Sequence, residues 1–170
     1  MRVGIAGYGV VGKTRHRSIE SNTSYQVTAI SESSEKARKS IPEGMTVYND
    51  YKTLIASAEL DVIFISLPNQ FAAEAACLSL QNGLHVFCEK PPARTHAELL
   101  EVEKQSLKFP ELKLMYGFNH RFHLSVEEAK LLIDSNSLGR LINMKGVYGK
   151  SQMISFNQTD WRTDREASGG

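Results

Sequence analysis

Arg2-Val3-Gly4-Ile5-Ala6-Gly7-Tyr8-Gly9-Val10-Val11-Gly12 is the stretch that decides how the rest of the chain is read. Its first half, RVGIAG, is short, apolar, β-branched and bounded by glycine, the pattern of a buried strand. Its second half is a G-x-G-x-x-G. Glycines are common, so the spacing alone is a weak signal. Here it follows a strand and opens a helix over Val10–Ser21, and that context gives each glycine a task. Gly7 allows a tight turn. Gly9 removes a side chain where a pyrophosphate would approach the backbone, and Gly12 lets the helix pack close to the strand. The helix start adds unpaired N–H groups and the positive end of a dipole. Tyr8, Val10 and Val11 complete the loop and join the glycines as candidate cofactor contacts.

The next strand, Tyr25–Ile30, leads into Glu32, which lies 20 residues after Gly12. An acid at that distance accepts hydrogen bonds from the adenosine ribose hydroxyls. Its carboxylate repels a 2′-phosphate, which favours NAD over NADP. Ser33, Ser34, Arg38 and Lys39 stand nearby and leave NADP open.

Strands and helices go on alternating. A helix over Ser34–Ser40 is stopped by Pro42. Thr46–Tyr48 reads as a short strand, and Tyr51–Ser57 as a helix with Asp50 as N-cap. Asp61–Leu67 (DVIFISL) is continuously apolar, so both its faces should be covered, as in a parallel sheet. A helix over Gln70–Gln81 stops at Asn82-Gly83, and the strand Leu84–Cys88 follows. Thr95 and Glu98 form a capping box for a helix over Thr95–Leu107. Leu112–Phe118 is a further strand. Leu124–Asp134 is a helix with Val126, Ala129 and Ile133 along one stripe, and Gly139–Tyr148 is strand-like. The order predicts an α/β fold, a Rossmann doubly wound parallel sheet with right-handed crossovers. After Phe118 the pattern weakens, and the polar stretch 151–170 fits no further strand-helix unit. The expected organisation is a dinucleotide-binding domain over 1–118 and the truncated start of a second α/β domain over 119–170.

Composition narrows the function classes. The chain has 170 residues, 20 Lys+Arg against 19 Asp+Glu, and 41% hydrophobic residues. That length supports one well-packed domain. A net charge of +1 lacks the basic signature of a dedicated nucleic-acid binder. No apolar run reaches the length of a membrane span. The N-terminus has no secretory signal pattern. Two cysteines, Cys77 and Cys88, are too few for a disulfide scaffold and read as buried thiols. A cytoplasmic protein with no metal, membrane or nucleic-acid partner is the expectation.

Two further motifs fall at strand ends. Ser66-Leu67-Pro68-Asn69 follows the apolar strand, and Glu89-Lys90-Pro91 follows Leu84–Cys88. Ligands of open parallel sheets lie outside the carboxyl ends of the strands, so both motifs belong to the rim where a dinucleotide lies. A lysine there donates hydrogen bonds, and moves a proton if burial lowers its pKa; a solvated surface lysine is the alternative. Pro91-Pro92 stiffens the turn.

Together GYGVVG (7–12), SLPN (66–69), NGLHVFCEKPPA (82–93), GFNHRF (117–122) and WRTDREASGG (161–170) resemble the Gfo/Idh/MocA family of nicotinamide-dependent oxidoreductases. The resemblance implies an N-terminal Rossmann domain and a C-terminal α/β domain on a mostly antiparallel sheet. It implies oxidation or reduction of sugars, cyclitols or sugar derivatives, and homo-oligomers when full length. It gives Lys90 contact with substrate and nicotinamide, with Glu89 and Pro91 shaping its turn. It maps the family's strand-end asparagine onto Asn69 and its Asn-x-Arg segment onto Asn119 and Arg121. The wording GLHVFCEKPPA, GFNHRFH, LINMKGVYGKS and DWRTDREASGG is similar to a subgroup found with surface-polysaccharide biosynthesis, which implies a sugar nucleotide or its precursor as substrate.

There are departures. Many members carry a histidine three residues after that asparagine, where this chain has Ala72. The family's catalytic Asp and His follow the Ser-Gly-Gly segment, at which this sequence stops. His16, His85, His96, His120 and His123 occupy other positions and read as surface or structural. The catalytic candidate is therefore Lys90, and the candidate cofactor residues are Gly7, Tyr8, Gly9, Val10, Val11, Gly12, Glu32, Leu67, Pro68, Asn69, Glu89, Lys90 and Asn119. Arg121, Trp161 and Arg162 are candidates for substrate, with an ion pair as the alternative for the arginines and core packing for Trp161. The expected activity is hydride transfer between NAD(H) and a sugar-like hydroxyl or ketone. A non-catalytic dinucleotide sensor and an inactive remnant are the rivals.

Overall fold

The computed structural model describes residues 1–149 and 161–169. Six strands form one sheet: β1 (Arg2–Ala6), β2 (Gln26–Ser31), β3 (Thr46–Tyr48), β4 (Val62–Ile65), β5 (His85–Cys88) and β6 (Leu114–Tyr116). Their order is β3-β2-β1-β4-β5-β6, and every pairing is parallel. The order reverses between β1 and β4, which opens a crevice at their carboxyl ends. The helices α1 (Val10–Glu20), α2 (Glu35–Arg38), α3 (Tyr51–Ser57), α4 (Asn69–Gln81) and α5 (His96–Lys108) connect the strands. The Rossmann reading of this part therefore holds.

Side-chain alternation along the strands builds two cores. Val3, Ile5, Val27, Ile30 and Val62 pack with Ile19 of α1 on one face. Ala6, Ala29, Ile63, Ile65, Val86 and Cys88 pack on the other face with Leu54, Leu80 and Val102 from α3, α4 and α5. β4 contributes to both, which is why DVIFISL carries no polar face. Asp50 caps α3 by accepting from the Thr53 amide at 2.8 Å, as its position predicts. Thr95 accepts from the Glu98 amide at 3.2 Å, but Glu98 reaches back to the Arg94 amide rather than to that of Thr95, so the box closes one residue early.

The chain divides into two compact units, residues 1–117 with the segment that includes 161–169, and the segment beginning at Phe118. The last segment lies with the first unit, whereas the sequence reading gives it to the second domain. It consists of a 3-10 turn, Trp161–Thr163, and α7 (Arg165–Ser168), and buries Ala167. The second unit contains a 3-10 turn, Asn119–Phe122, and α6 (Leu124–Asp134). Gly139–Tyr148 is not a strand, which corrects the sequence reading: 140–149 has no regular structure. Among the described residues of that unit no strand exists to pair with it, and a strand needs a partner for its backbone groups. The polar residues 151–160 and Gly170 lie outside the described residues. Among the described residues no helix is long and apolar enough to cross a membrane.

Candidate dinucleotide site

The β1–α1 turn gives each motif glycine a distinct environment. Gly7 has φ +88° and donates its amide to Ser31 O at 2.9 Å; a Cβ there would also lie 2.6 Å from Ser66 O. Gly12 faces back onto the turn, where a Cβ would sit 2.1 Å from Gly7 O. Around Gly9 nothing approaches within 4 Å. Two glycines are thus required by the protein's own packing. The third borders open space.

Helix starts in the first unit fall into two groups. α2, α3, α5 and α7 are capped by the side chains of Ser34, Asp50, Thr95 and Asp164. α1 and α4 have no side-chain cap, their N-caps being Gly9 and Pro68. These two helices follow β1 and β4, the strands that flank the crevice. A helix start leaves its first-turn N–H groups without the usual intrahelical acceptors, although in α4 the Phe71 amide donates to Pro68 O at 3.0 Å; neither helix carries an acid in its first turn. Val10 and Val11 sit on the start of α1 with 85% and 42% of their surface exposed. Exposed valines beside free amides make a surface that a dinucleotide pyrophosphate fits.

Glu32 lies past the end of β2, where its carboxylate accepts the Tyr8 amide and the Ser34 amide, each at 2.9 Å. The acid is thereby held beside the glycine turn. Arg38 turns its guanidinium to the backbone oxygens of Glu32 and Ser33, at 2.9 and 3.1 Å. Tyr8 contributes to the loop differently from expectation: its ring is buried and its hydroxyl meets His16 Nδ1 at 2.6 Å. Burial, followed by the charge of Glu20, raises the Tyr8 pKa. The side chain therefore anchors the loop to α1, and only its backbone borders the crevice. His16 is buried.

On the other side of the crevice, Leu67 and Pro68 lead into Asn69 at the start of α4. The Asn69 amide nitrogen donates to Ser168 O at 2.7 Å. At the end of β5, Glu89 donates its amide to Ile65 O and takes Arg15 Nε at 2.5 Å, the two side chains being mostly buried. Arg15 also lies over the Phe87 ring, 4.9 Å from its centre. A Cβ on Gly117 would lie 2.8 Å from Glu89 Oε2, so the carboxylate is gripped by α1 and by the chain leaving β6. Arg15 is a residue that sequence reasoning missed; its position one helical turn after Gly12 was the available signal. Lys90 follows Glu89 with an exposed side chain, and the Lys90–Pro91 peptide is cis. Among the described residues Lys90 has no ion-pair partner, so its ammonium is available at the rim.

The first unit therefore brings together Gly7–Gly12, Glu32, Leu67–Asn69 and Glu89–Lys90 along one edge of the sheet. Trp161 and Arg162 belong to the segment that Asn69 holds, with the Arg162 guanidinium 4.6 Å from the Trp161 ring centre. Asn119 and Arg121 share the 3-10 turn of the second unit. His120, in the same turn, packs edge-on against Tyr148 at 5.1 Å. The described residues hold no cluster of three or more metal-ligating side chains.

Residues 1–117 match the family model for the Gfo/Idh/MocA oxidoreductases, described as an oxidoreductase family with an NAD-binding Rossmann fold. The chain is 28% identical over 145 residues to the D-glucoside 3-dehydrogenase of Escherichia coli K12, covering 83% of this chain and 41% of that protein. It is 27% identical over 164 residues to the inositol 2-dehydrogenase of Salmonella typhimurium LT2, covering 94% of this chain and 49% of the relative. The crystal structure of scyllo-inositol dehydrogenase from Lactobacillus casei with NAD(H) and scyllo-inositol superposes with a TM-score of 0.74 at 27% identity, over 82% of this chain and 42% of that one. The chain thus spans about half the length of the curated relatives it matches.

Proposed function

The chain belongs to the Gfo/Idh/MocA family of NAD-binding oxidoreductases, and on that premise we propose that the protein is a dehydrogenase moving a hydride between NAD(H) and a ring hydroxyl or ketone of a sugar or cyclitol. The observation that carries the reading is the pair of uncapped helices, α1 and α4, at the crevice between β1 and β4. The family relatives named for inositol and glucoside oxidation support the substrate class. A sugar nucleotide of surface-polysaccharide biosynthesis is the finer assignment, resting on the resemblance of 82–93 and 160–170. Cytoplasmic location and assembly into homo-oligomers belong to the same reading.

When bound, the nicotinamide ring takes up or gives back the hydride. The chain's own residues hold and orient. The α1 amides and Gly9 receive the pyrophosphate, and Glu32 receives the adenosine ribose. Glu89, held by Arg15, sets the turn from which Lys90 reaches the reacting oxygen. There an ammonium hydrogen-bonds the substrate oxygen and stabilises the negative charge that develops on it as the hydride leaves carbon, while in the full-length protein the hydroxyl proton passes to the histidine that the family resemblance places after the Ser-Gly-Gly segment. Within the first unit Trp161 and Arg162 complete the proposed contacts, an arginine fork suiting a diphosphate or carboxylate; Asn119 and Arg121 are contacts proposed on the family resemblance alone.

The test is turnover by the full-length protein with NAD, followed by NADH absorbance across inositols, glucosides and nucleotide sugars. Lys90→Met should keep cofactor affinity and lower turnover by about a hundredfold or more. Equal turnover in the two proteins would remove Lys90 from the chemistry.

A further inference from the structure

The segment 161–169 is docked on the rim by contacts from Arg94 and Asn69. Arg94 stands four residues after Lys90. Its Nε and Nη2 bond Glu98 Oε1 at 2.9 and 2.6 Å, which holds the guanidinium plane. Its remaining arm, Nη1, donates to Glu166 O at 2.6 Å, 72 residues away in sequence. Asn69 donates to Ser168 O. Between the two bonds Ala167 is buried. Gly169 then takes φ +90° against the Arg94 backbone, where a Cβ would lie 2.8 Å from Arg94 O. A four-residue helix has too little cooperative stability to hold itself, so these contacts decide where it sits.

We infer that Arg94 is a positioning residue: together with Asn69 it latches 161–169 to the carboxyl rim and so sets the place of Trp161 and Arg162 at the site. The guanidinium is suited to this, because its rigid planar fork serves Glu98 and the Glu166 carbonyl at once, whereas a lysine brings a compact ammonium on a flexible stem without that fork. Trp161 and Arg162 are stacked on each other and follow the latch as one group. The span from Ser168 back to Trp161 is on the order of 15 Å at helical rise, so a shift at the latch is passed on to Trp161. The assignment rests on the reading of the Asn69 and Lys90 turns as part of the cofactor site.

Trp161 is the chain's single tryptophan, so its emission reports this segment alone. The experiment compares wild type, Arg94→Ala, Arg94→Lys and Gly169→Ala as the full chain. It reads Trp161 emission without cofactor, energy transfer from Trp161 to bound NADH, and the NADH affinity. The latch predicts a red-shifted emission in Arg94→Ala and Gly169→Ala, loss of the energy transfer, and an NADH Kd within about threefold of wild type. Arg94→Lys should restore the emission only in part. Unchanged emission and transfer in both variants would overturn the inference. Loss of the helical signal in both would also overturn it, by making the contact part of the fold. NADH failing to bind wild type would instead refute the proposed cofactor site, and the cofactor-free emission would still decide the latch.

Discussion

Gly9→Ala and Gly12→Ala should separate what the glycine motif does for the fold from what it does for the ligand. At Gly12 a new methyl would stand 2.1 Å from Gly7 O, and the obstacle is backbone. A relaxed carbon–oxygen contact is about 3.3 Å or more, so the turn and α1 must part by about an ångström. Overpacking of this kind costs about 3 kcal/mol. Better helix propensity of alanine returns about 1. A net loss of about 2 kcal/mol lowers the melting temperature of a chain this size by roughly 4–8 °C. The displaced turn should also weaken NADH binding. At Gly9 the methyl meets nothing within 4 Å. Only the poorer N-cap is felt, about 0.5–1 kcal/mol. The same methyl occupies the space a pyrophosphate would take, and should raise the NADH Kd by about tenfold or more, at 1.4 kcal/mol per decade. Differential scanning calorimetry and NADH titration of the three proteins read both quantities. Wild-type NADH affinity in Gly9→Ala, or wild-type stability in Gly12→Ala, would refute the reasoning.

Glu32→Gln should lower the preference for NAD over NADP, since it removes the charge that repels a 2′-phosphate; titration with both cofactors measures the ratio, and an unchanged ratio would contradict the assignment. Arg15 and Glu89 should couple by about 0.5–3 kcal/mol in a double-mutant cycle of Arg15→Ala and Glu89→Gln read by urea unfolding, because both side chains are mostly buried; additive effects would show that the contact carries no energy. Burial, followed by the charge of Glu89, pushes the Cys88 thiol up to about 12. Its contribution to stability is intact below the ordinary thiol value and is lost as pH rises from there towards the folded value. The urea midpoint should therefore fall more steeply above pH 9.0 in wild type than in Cys88→Ala; parallel profiles would contradict it.

What the sequence reveals is what periodicity and local chemistry carry. The VIFI of DVIFISL reads as a central strand because two cores demand apolar residues on both of its faces. Asp50 and Thr95 read as caps because a cap acts within three residues. The glycine spacing reads as a turn, and its three environments follow from that. Tyr8 is less legible: a tyrosine beside the phosphate loop looks like a ligand contact, yet its hydroxyl is taken by His16 eight residues on. The capping box is half legible, because Glu98 has two amides within reach and takes the one that also brings the Arg94 guanidinium. The docking of 161–169 is invisible in sequence. Its helix is too short for a stripe, its buried residue is a single alanine, and its partners lie 99 and 72 residues away. Gly139–Tyr148 has strand-like residues, but a strand exists only where another strand pairs with it.

The most direct test of the central claim is a crystal structure of the protein with NADH. The pyrophosphate should lie over Gly9 and the start of α1, the adenosine ribose on the Glu32 carboxylate, and the nicotinamide beside Lys90 at the end of β5. A dinucleotide bound away from the β1–β4 crevice, or with its nicotinamide end on Glu32 and its adenosine beside Lys90, would contradict it.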